Sequence, residues 1–181
     1  VGKLYNIDKI KLLTAISKLE SVVGRLQSFL SSNKVTVIID YAHTPDAIEN
    51  VISTINKIKS RTQNLITVIG CGGDRDKDKR SIMGNICSEL SSKVIFTSDN
   101  PRSEDPNSII DDMIKGVSKL NTNKVSVEIE RSKAIKEAKE NSLEGDIVLI
   151  AGKGHEDYQE LKNNKRIKFD DFKIAKQIFN K

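Results

Sequence analysis

Four short segments of this 181-residue chain concentrate the residues able to do chemistry. They are Asp40-Tyr41-Ala42-His43-Thr44-Pro45-Asp46, the run from Gly70 through Cys71, Gly72, Gly73 and Arg75 to Arg80, Ser98-Asp99-Asn100-Pro101-Arg102, and Ala151-Gly152-Lys153-Gly154-His155-Glu156. Arg75 and Arg102 carry planar guanidinium forks suited to carboxylates. Asp99 and Glu156 can hold an ammonium group, and Asn100 and the glycine backbones supply neutral partners. Opposite charges on one small site suit a zwitterion such as an amino acid. No Ser-His-Asp or Cys-His set stands at persuasive spacing, so the chemistry is positioning rather than covalent catalysis.

Each segment alone also has a plainer reading. Asp40 can cap a turn, and His43 can pack beside a helix. The glycines around Cys71 can approach an anion or merely make a tight turn. Neither GxxxxGK[ST] nor GxGxxG occurs, which speaks against a nucleotide loop and gives a dinucleotide site little support. The alternating charges from Asp74 to Arg80 read as solvated surface, Arg102 as an exposed turn, and Gly152-Lys153-Gly154 as a chance triplet. What favours function is the placement of the four segments in the fold.

Residues 34–181 alternate between short apolar runs and helical patterns. Val35–Ile39, Leu65–Ile69, Val94–Thr97, Val125–Ile129 and Asp146–Ala151 read as strands. Thr44-Pro45 and Asp105-Pro106 open helices with a side-chain cap followed by proline. The first of these helices presents Ile48, Val51, Ile52, Ile55 and Ile58 on one face, and the second runs to about Leu120. Further helices are expected near 81–91, 132–141 and 170–179. Tyr158–Leu161 and Arg166–Phe169 flank Lys162-Asn163-Asn164-Lys165 as a hairpin. Repeated βα units predict an α/β, Rossmann-like open sheet, mainly parallel, with helices on both faces and one antiparallel edge strand, which the hairpin could supply. Ligands of such sheets bind beyond the carboxyl ends of the strands, where all four segments fall. Residues 1–33 differ: Asp8 can cap a helix carrying Ile10, Leu12, Leu13, Ile16 and Leu19, and Ser31-Ser32-Asn33 reads as a linker.

Composition sets the frame. Hydrophobic residues are 37% and charged residues 30%, as in an ordinary globular domain. No apolar run approaches the ~20 residues of a membrane span, and no secretory leader is present. Cys71 and Cys87 form no CxxC, no zinc pattern and no disulfide framework, so a reducing, cytoplasmic setting is expected. The net charge of +5 hints at nucleic acid, but 30 Lys and Arg are interspersed with 25 Asp and Glu, and only three Tyr and five Phe are available to stack on bases.

The strings DYAHTPDAIENVI, GCGGDRDKDKR, TSDNPRSEDP and IAGKGHEDYQ resemble those of the Mur ligases, specifically the type that adds meso-diaminopimelate as third residue of the peptidoglycan stem. The resemblance covers about Gly24 to the end. It implies residues 1–33 as the end of a central ATPase domain with its hinge, and 34–181 as the C-terminal amino-acid-binding domain. It implies ATP-dependent amide formation on UDP-MurNAc-L-Ala-D-Glu through an acyl phosphate, with ATP and Mg2+ bound mainly by the central domain and the fragment inactive alone. It assigns Asp99, Asn100, Pro101 and Arg102 to diaminopimelate recognition, with Arg75, Gly152 and Glu156 as further contacts. Arg25, Asp40 and His43 are assigned to ATP. No catalytic residue and no metal ligand is assigned within the chain. A cytoplasmic monomer with no nucleic-acid or membrane partner is implied. Arg102 carries the choice of diaminopimelate over lysine, because lysine lacks the far carboxylate. Gln27, Asp78 and Ser81 depart from frequent Glu, Gly and Pro of the family. A lysine-adding or folyl-polyglutamate ligase, a dinucleotide module and a nucleic-acid binder remain as competitors.

Overall fold

A computed structural model describes residues 23–180. The helix expected around Ile10–Leu19 lies outside them. Six strands form one sheet in the order β1-β2-β6-β3-β4-β5, and two more form a separate ribbon. In chain order these are β1 (Gln27–Leu30), β2 (Thr36–Asp40), β3 (Leu65–Ile69), β4 (Lys93–Phe96), β5 (Val125–Val127), β6 (Ile147–Ala151), β7 (Tyr158–Leu161) and β8 (Lys165–Lys168). The helices are α1 (Pro45–Ile58), α2 (Asp78–Leu90), α3 (Pro106–Ile114), α4 (Arg131–Glu140) and α5 (Asp171–Phe179).

β2 through β6 are mutually parallel, and β3 and β6 are buried along their whole length. Ile48, Ile52 and Ile55 of α1 pack with Met83 and Cys87 of α2 and with Ile109, Ile110 and Met113 of α3 on one face. Ala134, Ile135 and Ala138 of α4 cover the other face with Ala175 and Phe179 of α5. Each fully buried isoleucine of this kind contributes about 2 kcal/mol through the apolar area it removes from water. The caps read from sequence form: Thr44 Oγ1 accepts from Ala47 N, and Asp105 accepts from Asn107 N.

Two expectations are corrected. The antiparallel edge strand exists, but it is β1, paired Gln27↔Ile39 through Leu30↔Thr36. The hairpin β7–β8 forms as expected, with Tyr158 opposite Lys168, yet it stands as its own ribbon. Residues 27–30 therefore lie on the sheet, although the sequence reading placed them in the hinge segment. The helix expected to reach Leu120 stops at Ile114; the chain then turns, with Gly116 N donating to the Met113 carbonyl and Val117 N to the Ile114 carbonyl, and Gly116 packs against the Ser81 carbonyl with no room for a side chain.

The register delivers the site. Asp40 is paired with Ala151, Ala151 with Ile69, and Ile69 with Phe96. The four strand ends are thus level, and the loops that follow them emerge side by side at one edge.

Candidate functional site

The loops enclose a cleft of about 730 Å³. Among its lining residues are Arg75, Asp99, Asn100, Arg102, Gly152 and Glu156, six of the seven amino-acid contacts read from sequence. The seventh, Pro101, is buried behind it; its carbonyl backs directly onto the Cα of Gly73. Arg25 and Asp40 line a second cleft of about 390 Å³ instead. Tyr41 and His43 border both clefts.

The cationic end is Arg102. Its φ of 51° is a left-handed conformation unusual for arginine. The backbone N–H donates to the Glu160 carbonyl at 3.1 Å, tying the loop to the β7–β8 ribbon. Its Nε donates to Glu160 Oε2 at 3.1 Å and its Nη1 to the Gly73 carbonyl at 2.7 Å. Nη2 is the guanidinium nitrogen that these bonds leave over, so the fork is aimed with both Nη2 N–H groups to spare. Arg75, by contrast, is exposed and among the described residues bonds only the Asp74 carbonyl.

The anionic end is built from Asp99 and Glu156. Lys153 lies between them with no exposed surface. Its Nζ donates to Asn100 Oδ1 and Glu156 Oε2, each at 3.1 Å, and stands 3.6 Å from Asp99 Oδ1. Asn100 Nδ2 donates to Glu156 Oε2 at 2.8 Å, and Glu160 N donates to Asn100 Oδ1 at 2.8 Å. The Asn100 amide is therefore spent on placing its neighbours. Burial pushes the Asp99 carboxyl up from its ordinary value, against the pull of the Arg131 and Lys153 cations. Arg131, fully buried, holds Asp171 through Nε and Nη2, each at 2.8 Å. Gly152, at φ 111°, brings backbone so close that a Cβ would sit 2.6 Å from Asp99 Oδ2.

In the second cleft Asp40 is buried and fully engaged: Oδ2 accepts from Leu26 N and Oδ1 from Ala42 N, each at 2.8 Å. It pins the Gly24–Leu26 segment to the end of β2. The exposed Arg25 lies over the Tyr41 ring at 5.5 Å. His43 and His155 flank the same ring, with centroids at 4.5 and 5.0 Å. His43 Nδ1 lies 2.8 Å from the Tyr41 carbonyl oxygen. Gln27 Oε1 accepts from Gly24 N, a bond that a glutamate there could also make.

Burial pushes the Cys71 thiol up to about 12, which removes it as a nucleophile. Sequence reasoning missed Lys153, Glu160 and Tyr41. A lysine between two glycines gave one signal, since glycine flanks let a backbone close over a buried side chain. Glu160 gave none, because its place depends on how the ribbon folds back onto the Asp99–Arg102 loop.

Comparison with known proteins follows the same lines. Residues 24–154 match the family model described as Mur ligase, glutamate ligase domain. A curated UDP-N-acetylmuramoyl-L-alanyl-D-glutamate–2,6-diaminopimelate ligase from Cytophaga hutchinsonii is 46% identical over 177 residues, covering 98% of this chain and 36% of the relative. The protein of the same name from Aquifex aeolicus is 49% identical over 161 residues, or 89% of this chain and 32% of the relative. A solved structure of a ligase so named superposes with a TM-score of 0.79 at 39% identity, over 98% of this chain and 35% of that one. The chain spans about a third of the length of the relatives it matches. On the family match, these identities and the shared fold, the chain belongs to the Mur ligase family and corresponds to its C-terminal, glutamate ligase domain.

Proposed function

We propose that this chain is the amino-acid-binding part of an ATP-dependent ligase that joins meso-diaminopimelate to UDP-MurNAc-L-Ala-D-Glu in the cytoplasm. The observation that carries the reading is the polarity of the 730 Å³ cleft, with the aimed Arg102 fork at one end and the Asp99–Glu156 pair at the other. A zwitterionic amino-carboxylate end fits between them: Arg102 Nη2 takes the carboxylate, and Asp99 and Glu156 take the ammonium. Pro101 and Gly152 shape the backbone around that end, and Arg75 sits at the mouth as an exposed cation.

Fixing the far end of meso-diaminopimelate leaves its other amine to act as nucleophile. That amine attacks the acyl phosphate of the glutamate; the C–N bond forms, inorganic phosphate leaves with the bonding pair, and the amine loses a proton. This chain contributes orientation, holding the nucleophile for a reaction between bound partners. Arg25 and His43 face the ATP side, and Asp40 acts there by fixing the segment that carries Arg25. Mg2+ and most contacts to ATP are assigned to the part of the ligase outside this chain. Of the segment read as central-domain end and hinge, residues 1–33, the part before β1 keeps that assignment; β1 joins residues 34–181 in the domain that holds the amino acid, and the ligase is assigned to a monomer.

Arg102→Ala in the full-length ligase tests the reading. The KM for meso-diaminopimelate should rise at least about 30-fold, as for any truncated partner of a desolvated charge pair. The KM for ATP should stay unchanged. A wild-type ligase that uses L-lysine as readily as meso-diaminopimelate would refute the substrate assignment.

A further inference from the structure

We propose that Lys153 is the positioning residue that sets the charge and geometry of the ammonium subsite. The inference rests on the amino-acid reading above and deepens it.

Three features set Lys153 apart from a surface lysine. First, it has no exposed surface, although lysine is among the residues least often fully buried. Second, its contacts all go to the recognition end of the cleft: Asn100 and Glu156 by hydrogen bonds at 3.1 Å, and Asp99 by an ion pair at 3.6 Å. Third, its Nζ lies 5.6 Å from the centroid of the Tyr158 ring, which itself lines the cleft. One ammonium thus uses its donors on the residues expected to grip the ligand.

The charges explain the need. Asp99 and Glu156 together bring two negative charges to one partly buried end. Two unpaired carboxylates so placed repel, and one takes up a proton. A proton on either would replace an acceptor with a donor just where an ammonium must bind. Lys153 cancels one charge and leaves a net of one, which matches a single incoming ammonium. It also draws Glu156 and Asn100 to a shared point, so the acceptors are in place before the ligand arrives.

The groups facing Asp99 come from several elements. Lys153 and Glu156 reach it from the loop after β6, Arg131 from α4, Asp171 from α5, and Cys71 from the loop after β3. Arg131 acts on Asp99 more strongly than Lys153 does, but it is bonded to Asp171 at 2.8 Å, whereas Lys153 is the cation that hydrogen-bonds Asn100 and Glu156.

Lys153→Met in the full-length ligase removes the charge and keeps the length. The KM for meso-diaminopimelate should rise at least about tenfold, with the KM values for ATP and for the UDP-linked substrate unchanged. The acid limb of kcat/KM for diaminopimelate should move to higher pH by about one unit or more, because Asp99 loses a cation within reach. Lys153→Gln keeps two N–H donors without the charge and serves if the Met variant does not fold. Its acid limb should move likewise, whereas Lys153→Arg, which keeps the charge, should leave the limb in place. An unmoved limb and a KM within twofold of wild type in the folded neutral variant would overturn the proposal. A wild-type ligase that does not incorporate diaminopimelate would overturn the parent reading instead, so the two failures are told apart.

Discussion

The buried guanidinium of Arg80 forks onto Glu104, with bonds of 2.9 and 2.7 Å, and reaches Asp112 at 3.1 Å. Glu104 also accepts from the Asp74 N–H, so one carboxylate ties the glycine-rich loop to the loop that bears Arg102. The Arg80 bonds hold the Glu104 carboxyl well below the usual range, at about 2. A carboxyl depressed in the folded state stabilises above its unfolded value near 4.5, and that stability is lost as pH falls toward 2. Glu104→Gln should therefore cost about 2 kcal/mol at pH 7, by denaturant titration, and should flatten the loss of stability between pH 4.5 and 2. This pair also marks what single residues concealed. Asp74 to Arg80 reads as a solvated charge run, and most of it is exposed, but Arg80 is not. Its partner lies 24 positions away in another loop, and no local pattern announces a contact at that separation.

Secondary structure was far easier to read than contact. Caps at Thr44 and Asp105 and the apolar runs of β3 and β6 are local chemistry, and they formed where the residues said. β1 was hidden because Gln27–Leu30 is an edge strand with alternating partial exposure, weak apolar content and a start fixed by Asp40, fourteen residues on. The loops at the strand ends show the same dependence on distant partners. Gly73 donates its N–H to the Asn100 carbonyl at 2.9 Å, and its Cα presses on the Pro101 carbonyl with no room for a methyl group. Gly73→Ala should destabilise the fold by about 2–3 kcal/mol, read from the denaturation midpoint, since backbone cannot step aside as a flexible side chain can. It should also weaken diaminopimelate use, because the same carbonyl row aims Arg102.

At the level of the entire chain, the function proposed above gives the cleft one partner of a reaction that needs three. No GxxxxGK[ST] loop occurs anywhere in the sequence. The 181-residue chain by itself should release no phosphate from ATP and form no amide with meso-diaminopimelate and the UDP-linked dipeptide; measurable turnover by the purified chain would contradict its assignment as a binding part. No helix among the described residues is long and apolar enough to cross a membrane. The strand order has a consequence for how the molecule comes to exist. β6 is among the last strands in the chain, yet it is inserted between β2 and β3, and these two do not touch except through it. As the chain leaves the ribosome, β1 through β5 cannot close the sheet before β6 is made, and the flanks of β2 and β3 that β6 will fill must wait unpaired. The strand that completes the core also brings Gly152, Lys153 and Glu156 directly behind it. Folding and assembly of the cleft are thus one late event, and a nascent chain too short to fold is also too short to bind.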